Sequence, residues 1–375
     1  MTKRGISFAA SVALTLGLST ISPAQAAQEF NVKQFGAQGD GKSDDTGAIQ
    51  RAIEAAQQVA PNGIVVIPKG TYLYSSELIL KTTVILEGRD EPVLEGITER
   101  AEVDIQGPAT VRNIDFSTRA GRSGAVRVNT NAKNWVISGN KFVPGPFVWD
   151  IAVVSATDGV IKDNIFTITT STDAAIEIIY RSNNIKVDHN TFVAQSSSSG
   201  VELSESNQIA INNNNFRGLA TGVFLETATD GVSITNNVIT QTDIGIDANK
   251  SANLTISGNT ITDQTAKGII AIEGHTLLVE GNTISRTNAN PIEIDLLTGS
   301  VRITSNTISD GLLKAVQKEV AAMIFVDCPG ADIGITGNSY SGNTEHARYF
   351  IWCLQDKAKV SGNTTNTGLP NRVGP

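Results

Sequence analysis

ISGNTI (256–261), VEGNTI (279–284) and ITSNTI (303–308) are three copies of one six-residue phrase: an apolar residue, two small or polar residues, asparagine, any residue, an apolar residue. Further copies are ISGNKF (137–142), IKDNIF (161–166), VDHNTF (187–192), INNNNF (211–216), ITNNVI (234–239) and ITGNSY (335–340). The asparagines are Asn140, Asn164, Asn190, Asn214, Asn237, Asn259, Asn282, Asn306, Asn338 and a degenerate Asn363, at intervals of 24, 26, 24, 23, 22, 23, 24, 32 and 25 residues. A period this steady describes one structural unit stacked on itself. Each unit carries short alternating runs of β-branched residues broken by Gly, Asn, Asp and Ser, which is strand-and-turn chemistry. The spacing predicts an all-β chain, a right-handed parallel β-helix (a single-stranded solenoid) with three short strands and three turns per coil. Stacked coils bury an interior that one coil cannot. An asparagine repeated at one turn offers donors and an acceptor to the backbone and to the next asparagine, so the ladder is read as structural.

Lys3 and Arg4 precede an apolar stretch from Ile6 to Ile21, followed by Ala24-Gln25-Ala26. This reads as a secretory signal peptide over 1–26, so a secreted or periplasmic product is expected. Nothing later is long and apolar enough for a membrane span. The 37 Asp and Glu against 29 Lys and Arg argue against a nucleic-acid partner.

Residues 27–80 read as an N-terminal cap with the first strands, 81–366 as coils and 367–375 as a C-terminal tail. Within the cap, Asp44, Asp45 and Thr46 start a helix whose Ile49, Ala52, Ile53 and Ala56 recur at helical spacing, to about Val59. It would cover the open apolar end of the solenoid. Asp40, Asp44 and Asp45 are assigned turn and N-cap duties rather than catalysis.

FGAQGDGKSDDTGAIQRAIEAA (35–56), followed by GIVVIPKGTYLY (63–74), resembles the amino-terminal signature of the pectate lyase superfamily, in the branch of rhamnogalacturonases, polygalacturonases, phage tailspikes and polysaccharide epimerases. The resemblance implies the β-helix and a polysaccharide substrate outside the cytoplasm. It does not imply one reaction, because that scaffold hosts several. The Asn-Thr-Asp, Asp-Asp, His-Gly and Arg-Ile-Lys strings of polygalacturonases and the Tyr, Asp, Pro, His, Asp string of alginate epimerases are absent in that arrangement.

The site is therefore sought in the coils. Ten or eleven residues before each asparagine phrase lies a second strand whose inward pairs are all apolar, from Val126 and Val128 to Ile324 and Val326. Alternation turns the intervening residues outward. Acid then concentrates where Glu177, Glu202, Glu226 and Asp247 come from successive coils. At about 4.8 Å, two such charges repel by about 3 kcal/mol at an effective dielectric of about 20. A cation, a shared proton or a base such as Arg181 or Lys250 would relieve this.

Two chemistries suit the ridge. A hydrolase would use Glu202, Glu226 and Asp247 as acid and base, without a cofactor. A lyase or epimerase on a uronate polymer would hold Ca²⁺ on Glu177, Glu202, Glu226 and Asp247, with Lys250 or Arg181 as base. Glu177, Arg181, Asn249, Lys250, Phe224 and Tyr180 are the expected substrate contacts, with Trp149 nearby. Glu293 and Asp295 make a second, weaker acidic spot beyond Ile270 and Ile272. Hydrolysis ranks first, a calcium-dependent lyase or epimerase second, and a non-catalytic glycan-binding or matrix protein is the rival of another class. A homo-oligomer with sites between subunits is compatible with a groove-forming solenoid. His189, His275 and His346 have no partner at metal-ligand spacing. GLLKAVQKEVAAM in the 32-residue interval predicts a helical excursion over about 312–322. Cys328 and Cys353, one coil apart, are expected to form a disulfide across the last coils.

Overall fold

The computed structural model describes residues 27–61, 63–120, 124–143, 149–169, 173–195, 197–314 and 321–374. The expected signal peptide and most of the expected helical excursion lie outside these residues. Among these residues, three parallel sheets of 14, 14 and 13 strands run the length of a right-handed β-helix. A typical coil passes from Asn183–Asp188 in the first sheet, through Asn190, to Thr191–Ala194 in the second and Ser199–Ser204 in the third. Every strand pairs with its counterpart one coil away, as Ile185 with Ile209 and Phe192 with Phe216.

The asparagine ladder is continuous. Each Oδ1 accepts from the backbone N–H and the side-chain amide of the preceding asparagine, at 3.0 and 3.1 Å for Asn140 onto Asn164. Each amide also donates to a carbonyl of an earlier coil, as Asn164 to Ile137 O at 3.0 Å. Ladder residues from Asn140 to Asn338 are buried, so the side chains replace water for the turn's backbone. The residue before each asparagine is left-handed, at φ 55° in Asn213 and 65° in Gly258. This geometry favours Gly, Asn and Asp there; His189 occupies the same position at φ 54°.

Phe142, Phe166, Phe192 and Phe216, two residues past their asparagines, and Phe116, two past Ile114 at the equivalent turn, form a column with ring centroids 5.2, 4.7, 4.6 and 4.6 Å apart and nearly parallel planes. Each of these rings is at most 1% exposed. Phe192→Ala in the middle of the column is expected to cost about 3–5 kcal/mol, read as a lowered denaturant midpoint. Phe192→Leu, which keeps most of the volume, should cost less.

Helix α1, Thr46–Gln58, buries Ala48, Ile49, Ala52, Ile53 and Ala56. It packs on strands Gln28–Asn31, Gly63–Ile67 and Leu78–Leu80, closing the first coil as expected. The acids of this segment serve backbone: Asp45 accepts from the N–H of Gln38 and of Gly39, Asp40 from those of Lys42 and Ser43, and Asp44 from Thr46 and from the Ser75 hydroxyl. Asp44, not Asp45, bonds the helix start.

Two expectations at the C-terminal end are corrected. The supposed tail supplies the terminal strand Asn371–Val373, paired with Tyr349–Cys353. Cys328 and Cys353 are free, buried thiols. Cys353 lies opposite Val326, so Cys328 is two residues out of register. Counting back from the asparagine phrase missed this offset. The Gln355 side chain sits between the two cysteines, accepting from Cys328 N–H at 3.0 Å with its Oε1 3.7 Å from Cys353 Sγ.

Candidate functional site

The third sheet carries the site. The inward pairs read from sequence, from Val126 and Val128 to Ile324 and Val326, are all buried. That fixes the outward row as Asp104, Arg127, Ala152, Glu177, Glu202, Phe224, Asp247, Ile270, Glu293, Phe325, Trp352 and Arg372, each opposite the next. Glu177 and Glu202 are direct neighbours, Phe224 follows, and Asp247 stands two strands beyond Glu202.

Glu226 departs from the expected ridge. Leu203 pairs with Leu225 but Ser204 pairs with Thr227, so a bulge lifts Glu226 out of register and leaves it exposed. Its charge still reaches the ridge, adding to the upward push on the carboxyls of both Glu177 and Glu202. The four acids expected to share a calcium ion are thus split by Phe224 and by the bulge. Among the described residues, no group of three or more His, Cys, Asp or Glu side chains is arranged to hold a metal.

Burial, then the Glu177, Glu226 and Asp173 charges, push the Glu202 carboxyl up to about 7. Glu177 is raised by burial and by Asp173. Asp247 is raised by burial, against the opposing pull of Lys267 and a hydrogen bond from the Asn249 amide at 3.2 Å. A group whose folded pKa lies above its unfolded value stabilises fully below the unfolded value, and that contribution disappears as pH rises through the folded one. For Glu202 the window runs from about 4.5 to about 7. Glu202→Gln should therefore flatten the fall in melting temperature between pH 5 and pH 8. The gain is about 1–2 kcal/mol at the upper end, discounted for partial solvent screening. Calorimetry at both pH values checks it.

Of the expected substrate contacts, Tyr180 and Arg181 lie in the turn after Ala174–Ile179, left-handed and exposed, Tyr180 at 56%. Lys250 is 3.7 Å from Glu273. Phe224, Glu226, Asn249, Lys250, Ile272 and Glu273 line a cleft of about 290 Å³ beside Asp247. The Trp149 ring lies under the Arg127 guanidinium, 5.2 Å to its centroid. At the second acidic spot Glu293 pairs with Lys267 at 2.6 Å, while burial, Glu293 and Asp327 push Asp295 to about 6. Sequence reasoning missed Asp173, Lys267 and the buried Asp150, whose carboxyl is pushed well above its ordinary range. Asp173 and Lys267 lie just outside the alternating strands, where periodicity assigns no direction.

The fold defines a class, and sequence comparison bears it out. The chain belongs to the rhamnogalacturonase A/epimerase, pectate lyase-like family, whose model matches residues 29–247; a right-handed beta helix region model matches residues 199–365. Alginate lyase 7 of Azotobacter vinelandii is 49% identical over 67 residues, 16% of this chain and 8% of that protein. Mannuronan C5-epimerase AlgE4 of the same organism is 32% identical over 131 residues, 31% and 23% of the two chains. The chain spans less than a quarter of the length of these relatives. Among solved structures, the AlgE4 A-module superposes with TM-score 0.53 at 19% identity, covering 92% of this chain and 96% of that one. PfbA, a surface adhesin of Streptococcus pneumoniae, gives 0.55 at 16%, covering 93% of each. DFA-IIIase from Arthrobacter chlorophenolicus gives 0.58 at 13%, covering 90% and 97%. At these identities the likeness is one of fold.

Proposed function

We propose that this protein hydrolyses glycosidic bonds of a polysaccharide outside the cytoplasm, with Glu202 as general acid and Asp247 as general base. The observation that carries the reading is the order Glu202, Phe224, Asp247 along one outward row. Two strand spacings place the two backbones about 9.6 Å apart, just beyond the roughly 6.5–9.5 Å between carboxyl groups that leaves room for a water in inverting hydrolysis, a difference the side chains can close by leaning toward each other. A Glu202 carboxyl that holds its proton to about pH 7 can deliver it to a leaving oxygen. Phe224 between them offers a ring face to the sugar, and burial, helped by the neighbouring Glu177 charge, keeps the acid protonated. The names of the curated relatives, an alginate lyase and mannuronan epimerases, support a polysaccharide substrate, and the amino-terminal segment supports export.

Those same names favour a second reading, elimination on a uronate polymer with Lys250 or Arg181 as base and Ca²⁺ as charge neutraliser. A panel of neutral and uronate polysaccharides separates the two. Hydrolysis gives new reducing ends without ultraviolet absorbance and is indifferent to a chelator. Elimination gives absorbing unsaturated ends, is abolished by the chelator and is restored by Ca²⁺. Absence of product from every polymer would overturn both in favour of a glycan-binding protein.

A further inference from the structure

The cations bordering the acidic face are already committed. Arg127 pairs with Glu102 at 3.0 Å, Lys250 with Glu273 at 3.7 Å and Lys267 with Glu293 at 2.6 Å. Arg181 has no ion pair among the described residues, but it is exposed in a turn. Glu177, Glu202, Glu226 and Asp247 likewise have no ion-pair partner there. In the cleft beside Asp247, the Lys250 and Glu273 charges offset one another, which leaves Glu226 as the net charge over a floor of Phe224 and Ile272. At about 290 Å³, the cleft lies near the lower limit of ligand sites, about 300 Å³.

We propose that this cleft is a specificity subsite for an amino sugar, whose ammonium group pairs with the Glu226 carboxylate while its ring lies on Phe224, so that the substrate is a partly N-deacetylated, cationic polysaccharide. The inference rests on the hydrolase reading of the neighbouring Glu202 and Asp247. A uronate in the same place would set its carboxylate against Glu226, and the one base lining the cleft, Lys250, is already paired with Glu273, whereas an ammonium relieves the repulsion that the fold leaves standing. The bulge displaces Glu226 from its place opposite Ser204, and in that position it lines the cleft.

The test is calorimetric binding of three length-matched oligosaccharides to the full chain, at low and at physiological salt: an N-deacetylated glucosamine oligomer, its N-acetylated counterpart and an oligogalacturonate. The amino-sugar oligomer is expected to bind at least about tenfold more tightly than the oligogalacturonate, with the gap narrowing as salt rises. Glu226→Gln should weaken the amino-sugar oligomer about three- to tenfold, the range of a partly exposed charge pair, while the acetylated oligomer changes less than about twofold. Glu273→Gln, which frees Lys250, should reduce the preference in the same direction. Tighter binding of the oligogalacturonate, equal binding of all three, or no binding would overturn the proposal. Reducing-end release by the same samples reports separately: a cationic preference without cleavage sinks the hydrolase reading alone, and cleavage confined to uronate or acetylated chains sinks the amino-sugar subsite alone.

Discussion

Glu202→Gln is expected to lower kcat by about 10²–10⁴-fold with KM little changed, because the amide keeps the shape and cannot deliver a proton to the leaving oxygen. Asp247→Asn should act comparably by leaving the attacking water without a base. The pH profile gives the assignment a second readout. Turnover needs Glu202 protonated and Asp247 ionised, so it should be bell-shaped, falling above about pH 7 as Glu202 loses its proton. The acid limb should lie above the ordinary carboxylate range, since burial raises Asp247. In Glu177→Gln the Glu202 carboxyl loses one of the charges that raises it, so the alkaline limb should move to lower pH while activity persists. An alkaline limb that stays in place in Glu177→Gln, or full turnover in Glu202→Gln, would remove Glu202 as the acid.

The fold was legible because every coil repeats the same constraint. Asn at one turn, an apolar residue two positions later and two inward apolar residues in the third sheet can be satisfied together in a single register, and a one-residue slip would bury Glu177, Glu202 and Asp247. The site was legible only where it obeyed that alternation. Glu177, Glu202, Phe224 and Asp247 occupy the row that period two assigns to them. Glu226 does not, because a bulge adds a residue that periodicity cannot see. The cysteines failed for a related reason: they flank strand ends, where turn lengths differ between the last coils, so equal distances to the next asparagine did not mean equal register. Asp173 escaped because its influence on Glu177 and Glu202 is electrostatic, from outside any strand.

Asn237→Ala, in the middle of the ladder, is expected to destabilise the protein by about 3–6 kcal/mol, since several buried groups lose partners at about 1–3 kcal/mol each and a cavity is left. Asn237 Oδ1 accepts from Asn214 N at 2.9 Å and from Asn214 Nδ2 at 3.1 Å, and its own amide donates to Ile211 O at 2.8 Å and Asn259 Oδ1 at 3.0 Å. Truncation leaves the Asn214 N–H and the Ile211 carbonyl inside the solenoid with no water in reach. Asn237→Asp should do no better: a carboxylate still accepts from Asn214 but donates to neither Ile211 nor Asn259, and it puts a charge among buried groups. Asn363→Ala at the terminal, half-exposed rung offers the contrast. Asn363 accepts from Asn338 and donates to Ile335 O at 2.7 Å, but water can replace it, so about 1 kcal/mol is expected. Because each coil contacts only its neighbours, the terminal loss should fray the last coils while the central one cuts the stack in two. Urea titrations of the two variants, with hydrogen exchange resolved by coil, distinguish these outcomes. Equal destabilisation at both rungs would mean that burial of the amide is not what gives the ladder its strength.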